Sequence, residues 1–150
     1  MVFLILFSSG CTPRQEPISE TDAIETVEGF FEALDVENTD PDLMDQYVTS
    51  DFIIYEAGKK MNKDEFLDLV EGSPLLKTDW QLSDFRVSTD HNSAHVSLLN
   101  DGSFMVEQDS IRMNLKLQWL ESAHLVKEDG HLKIRFYFSD NIGSTSEVID

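Results

Sequence analysis

The 150-residue chain is 41% apolar, 10% aromatic and 27% charged, the profile of one folded domain rather than a disordered tail. Eleven basic side chains against 29 acidic ones leave a net charge of −18, a field that repels phosphate backbones and anionic surfaces and excludes nucleic acid as a natural partner. A single cysteine rules out an internal disulfide framework and zinc sites built on several thiolates.

Met1 to Phe7 is an unbroken apolar run, followed by Ser8-Ser9-Gly10-Cys11 and a polar stretch with Pro13 and Pro17. The run is far shorter than the roughly 20 residues that a membrane helix needs. It resembles the end of a bacterial lipoprotein signal, in which small residues precede a cysteine that is lipidated. That resemblance implies a modified Cys11, a signal and tether over residues 1–20, and a lipid-anchored protein of the bacterial cell envelope, touching membrane only through its anchor. The alternative is an apolar N-terminus with an inert thiol.

Ser19, with Asp22 three residues on and apolar Ala23, Ile24, Val27, Phe30, Phe31 and Leu34, predicts a capped amphipathic helix ending near Leu34. Pro41 opens a shorter helix carrying Leu43, Met44 and Tyr47. Phe52 to Tyr55 reads as a strand, Gly58-Lys59-Lys60 as a turn, and Asn62 as the cap of a third helix that stops at Gly72-Ser73-Pro74. The remainder reads as long antiparallel strands: Trp80 to Thr89, Ala94 to Leu99, Ile111 to Lys127 and Leu132 to Asn141. Turns are expected at Asp90 to Asn92, Asn100-Asp101-Gly102 and Glu128-Asp129-Gly130. Residues 144–150 read as a polar tail. Ile111, Met113, Leu115, Leu117 and Trp119 alternate with Arg112, Asn114, Lys116 and Gln118, so one face of that strand is buried and the other wet. The fold class is therefore α+β, with helices on one side of a curved sheet.

This element order over residues 21–143 resembles the nuclear transport factor 2-like superfamily, and within it the SnoaL-like and related bacterial branches. The stretches that carry the likeness are Ala23 to Leu34, Tyr47 to Phe52 and Glu121 to Ile134. It implies a cone-shaped roll in which a curved antiparallel sheet takes three N-terminal helices on its concave face. It also implies an interior pocket, and a homodimer through the outer sheet face. None of the matching residues is a catalytic signature, so function has to be argued from the site.

Alignment with the isomerase branch puts Glu56 at the position of the base, Phe30 where a tyrosine donates, and His124 near the position of the acid. Phe30 cannot donate to a developing oxyanion, and loss of one such donor typically costs about a hundredfold or more, which disfavours that reaction. Glu56 and His124 remain candidate catalytic residues as an acid/base pair, of the kind cyclases and dehydratases of the superfamily use. Strand parity places His124 opposite Trp119 unless a bulge intervenes. Phe30, Tyr55, Trp80, Phe104, Trp119, Phe136 and Phe138 are the candidate pocket lining for a small apolar ligand. Tyr47, Arg86 and Arg135 are candidate polar contacts. The acidic Asn38 to Asp45 stretch lacks the glycine and closing glutamate of a calcium loop, so no metal and no cofactor is expected. The leading expectation is a non-catalytic envelope lipoprotein that binds a small apolar ligand or a partner protein. The alternatives are an acid/base enzyme and an interaction module with a filled cavity.

Overall fold

The computed structural model describes residues 16–149; Cys11 lies outside them. Three helices, α1 (Glu20–Ala33), α2 (Met44–Tyr47) and α3 (Lys63–Glu71), accompany six strands: β1 (Val48–Glu56), β2 (Lys59–Asn62), β3 (Leu75–Thr89), β4 (Ser93–Gln108), β5 (Ile111–Glu128) and β6 (His131–Val148). The strands form one sheet in the order β2-β1-β6-β5-β4-β3. All pairings are antiparallel except that of β1 with β6, which is parallel. The α+β roll expected from the sequence is what forms.

Local chemistry sets the helix ends. The Ser19 hydroxyl accepts from the Asp22 amide at 3.0 Å and caps α1. Asn62 and Glu65 form a reciprocal capping box at the start of α3. Gly29 sits where any Cβ would overlap the ring of Tyr47, so its bare backbone is what lets α1 lie against the residue that leads into β1. Ala57 and Gly58 both take positive φ, 50° and 74°, making a two-residue hairpin that leaves Lys59 and Lys60 free to start β2.

Two sequence expectations change. Asn100-Asp101-Gly102 is no turn: β4 runs straight through it, and the chain reverses at Asp109 and Ser110, both with positive φ. Gly102 serves packing instead, since a Cβ there would come within 2.6 Å of Phe104 and 2.8 Å of Trp119. Residues Ser144 to Val148, polar and exposed, belong to β6 and pair with Met113 to Leu117 of β5.

Bulges bend the sheet and decide which side chains face inward. On β6, Leu125 pairs with Ile134 and His124 with Phe136, so Arg135 is the extra residue; Ile142 is a second. On β3, Asp84 takes φ 51° where the register with β4 shifts. The main core lies between α1 and the concave face, with Val27, Val96, Ala123, Leu125 and Ile134 fully buried. Phe30 stacks on Tyr137 at 5.0 Å and packs beside Phe52 and Phe66. A smaller cluster of Phe104, Val106 and Trp119 sits further along the strands, with Met113, Leu115 and Leu117 packed against it.

Candidate functional site

Strict alternation on β5 turns Met113, Leu115, Leu117, Trp119, Glu121, Ala123 and Leu125 toward the concave side. Around Leu115 and Leu117 these side chains do not fill the space they enclose. A cavity of about 400 Å³ remains there, within the range of small-molecule sites. Its walls are Phe30 and Phe31 of α1 and Leu34 just after it, Leu69 and Val70 of α3, Trp80 of β3, Phe104 and Val106 of β4, and Leu115, Leu117 and Trp119 of β5. Trp80 meets Phe104 edge-on at 4.9 Å and Phe31 at 5.1 Å, so the aromatic wall is continuous.

Polar groups converge at one end of this chamber. Glu121 is buried and accepts hydrogen bonds from the Tyr137 hydroxyl at 2.9 Å and the Ser139 hydroxyl at 3.3 Å. Burial pushes its carboxyl up to about 7, and the neighbouring Glu56 pushes the same way, against the opposing pull of the Tyr137 and Ser139 bonds. Glu56, the last residue of β1, also lines the cavity; burial raises its carboxyl, with no hydrogen bond or ion pair to offset it among the described residues. The Tyr137 hydroxyl, wholly buried against a carboxylate, is raised well above its ordinary value and stays a proton donor. Asn100, fully buried on the same face, lies near enough to favour the charged form of Glu121, yet neither atom of its amide has a hydrogen-bond partner among the described residues. The Trp80 indole N–H is likewise buried without an acceptor among them. No basic side chain among the described residues lines the chamber.

The register shows how these groups meet. Tyr55 of β1 pairs with Phe138 of β6, and Ser139 of β6 with Glu121 of β5. Glu56, Ser139 and Glu121 therefore stand in consecutive positions across three adjacent strands, with roughly 10 Å between the outer two backbones.

Of the residues expected from the sequence, Phe30, Trp80, Phe104, Trp119 and Glu56 line the chamber. His124 does not. It sits across from His95 on the outer face, one position out of phase with Glu121 and Ala123, because no bulge interrupts β5. Phe136 and Phe138 also face outward, against the expectation. The Arg135 bulge reverses the parity of β6, so Tyr137 and Ser139 turn in while Phe138 is 44% exposed. Tyr55 joins that outer layer, its ring 5.5 Å from Phe136. Arg135 reaches Asp51 at 3.1 Å on the exterior, and Arg86 pairs with Asp84 there, so neither is a polar contact for the cavity. Sequence reasoning missed Glu121, although the alternation that buries Trp119 places a carboxylate two residues later on the same face. No group of three or more metal-ligating side chains occurs among the described residues.

No family model matches the chain, and no curated protein matches it. Solved structures do. A protein from Novosphingobium aromaticivorans, provisionally named a scytalone dehydratase, superposes with a TM-score of 0.67 at 15% identity, over 87% of this chain and 88% of that one. The hub of CaMKII from S. rosetta gives a TM-score of 0.65 at 18% identity, over 81% and 95%. An NTF2-like protein from Cytophaga hutchinsonii gives 0.61 at 15% identity, over 83% and 100%. The fold is the nuclear transport factor 2-like cone, and at these identities the likeness speaks for the fold alone.

Proposed function

We propose that the protein is a binding protein that holds a small, mostly apolar molecule in the chamber, with the polar end of that molecule directed at Glu56 and Glu121. One observation carries this reading: a 400 Å³ space with aromatic and aliphatic walls and its two carboxyls set side by side in the lining. The outward position of His124 removes the general acid on which the alternative of catalysis by Glu56 and His124 depended. The enclosed space likewise weighs against an interaction module with a filled cavity.

A second reading has its own support. Two carboxyls raised by burial in one cavity are the arrangement that proton transfer uses, with Glu56 as base and Glu121 as acid. Lipidation at Cys11 and attachment to the cell envelope are part of the leading proposal and rest on the N-terminal sequence. A homodimer through the outer sheet face belongs to it too, on the strength of the resemblance, and the outer layer of Tyr55, Leu120, Phe136 and Phe138 supplies the apolar surface for it.

The chamber is tested by following the fluorescence of Trp80 and Trp119 while apolar probes such as phenylbutanol are added. Saturable changes that disappear in Leu117→Trp, a substitution that fills the space, support binding. An unresponsive wild-type chain contradicts it. Mass spectrometry of the mature N-terminus tests the anchor, and an unmodified Cys11 in an intact chain would end that part of the proposal.

A further inference from the structure

We infer that the chamber takes an apolar amine, its ammonium group held between the carboxyls of Glu56 and Glu121 and its hydrocarbon or aromatic body against Phe30, Trp80, Phe104 and Trp119. This rests on the binding reading above and names the class of ligand.

The argument starts from an imbalance. Glu56 and Glu121 line one cavity, flank Ser139 from the two neighbouring strands, and have no basic side chain among the described lining residues to oppose them. Carboxylates withdrawn from water cost free energy unless a counter-charge or several donors replace the lost hydration. Glu121 has two donors, Tyr137 and Ser139, while Glu56 has none among the described residues. A ligand cation supplies what is missing to both at once. An anionic ligand would meet two like charges, and a neutral one would leave Glu56 uncompensated.

Three further features point the same way. Trp80, Phe104 and Trp119 line the same space as the carboxyls, and aromatic side chains of this kind attract a cation that approaches their faces. Asn100 is fully buried on the same face with its amide oxygen unpartnered, an acceptor suited to an N–H donor. The net charge of −18 favours the approach of a cation over that of an anion. The titratable or polar groups facing Glu121 are Glu56 from β1, Asn100 from β4, and Tyr137 and Ser139 from β6; α1 brings only Phe30 and Phe31 to the chamber at that end. None is a base that could take the place of the ligand's ammonium.

Calorimetric titration of the full chain with three probes of one shape, phenylbutylamine, phenylbutanol and phenylbutyrate, separates the cases. At pH 8 the amine is expected to bind at least tenfold more tightly than the alcohol, and the carboxylate not at all. Glu121→Gln and Glu56→Gln each reduce the amine's advantage over the alcohol about tenfold, whereas His124→Ala on the outer face leaves both affinities within twofold of wild type. Because Glu121 must be ionised to pair, the amine-to-alcohol ratio in the wild type falls about tenfold between pH 8 and pH 6. The wild-type ratio and its pH dependence need no variant, so a misfolded mutant does not rescue the claim. Equal binding of amine and alcohol, or preference for the carboxylate, overturns the amine while the chamber stands. Failure of all three to bind overturns both readings.

Discussion

The two ends of β5 carry the same alternating pattern and meet different fates. Around Ala123 and Leu125 the strand lies under α1, and every inward side chain there is fully buried in the main core. Around Leu115, Leu117 and Trp119 side chains of the same chemical type pack into a smaller cluster and still leave a chamber that they do not fill. Apolar patterning thus decides which face turns inward, but how closely the facing side chains pack decides whether that face becomes core or binding wall.

Substitutions that exchange the two environments test this contrast. The largest effect is expected in the packed end, where Leu125→Ala removes buried methyl groups with no room to relax and costs about 2–5 kcal/mol in urea or thermal unfolding. Leu115→Ala at the chamber wall should cost clearly less, since it enlarges an existing space. Equal costs at the two positions would erase the distinction.

Glu121 comes next. Its carboxyl is raised from an ordinary 4.5 to about 7 in the folded chain, so the native state holds a proton that the unfolded state has released across that interval. Stability from this residue is present in full below pH 4.5 and is lost as pH rises to 7, a span worth about 3 kcal/mol. Glu121→Gln keeps an acceptor for Tyr137 and cannot ionise. It should therefore be more stable than wild type above pH 7, with a flatter stability profile between pH 4.5 and 7, as measured by denaturation at stepped pH.

Gly29→Ala drives a methyl into the Tyr47 ring and should cost about 1–3 kcal/mol. Its effect belongs to the packed end, so probe affinity in the chamber should hold once the variant is folded. The smallest effect is expected for His124→Ala on the outer face, which should leave probe binding unchanged. A loss of binding there would place the histidine at the site after all.

Much of this architecture was legible in the residues. The caps at Ser19 and Asn62 and the alternation of β5 follow from spacing and side-chain type, and the family resemblance implied the pocket that Phe30, Trp80, Phe104 and Trp119 line. What sequence could not show was a change of parity. The Arg135 bulge leaves no mark in Phe136-Tyr137-Phe138, where three aromatics in a row read equally well in either phase, so the inward role of Tyr137 and Ser139 was assigned to Phe136 and Phe138. The Asp101-Gly102 pair misled for a related reason: its glycine answers the crowding of Phe104 and Trp119 rather than a reversal of the chain. Glu121 was overlooked because a lone carboxylate among 29 acidic residues carries no signal until burial singles it out.

The most direct test of the chamber is methyl NMR of the labelled protein during titration with phenylbutylamine. The account predicts saturable shifts at Leu115, Leu117 and Val106, with Leu125, Val96 and Ile134 unmoved. Shifts spread evenly over both groups, or none at either, would contradict it.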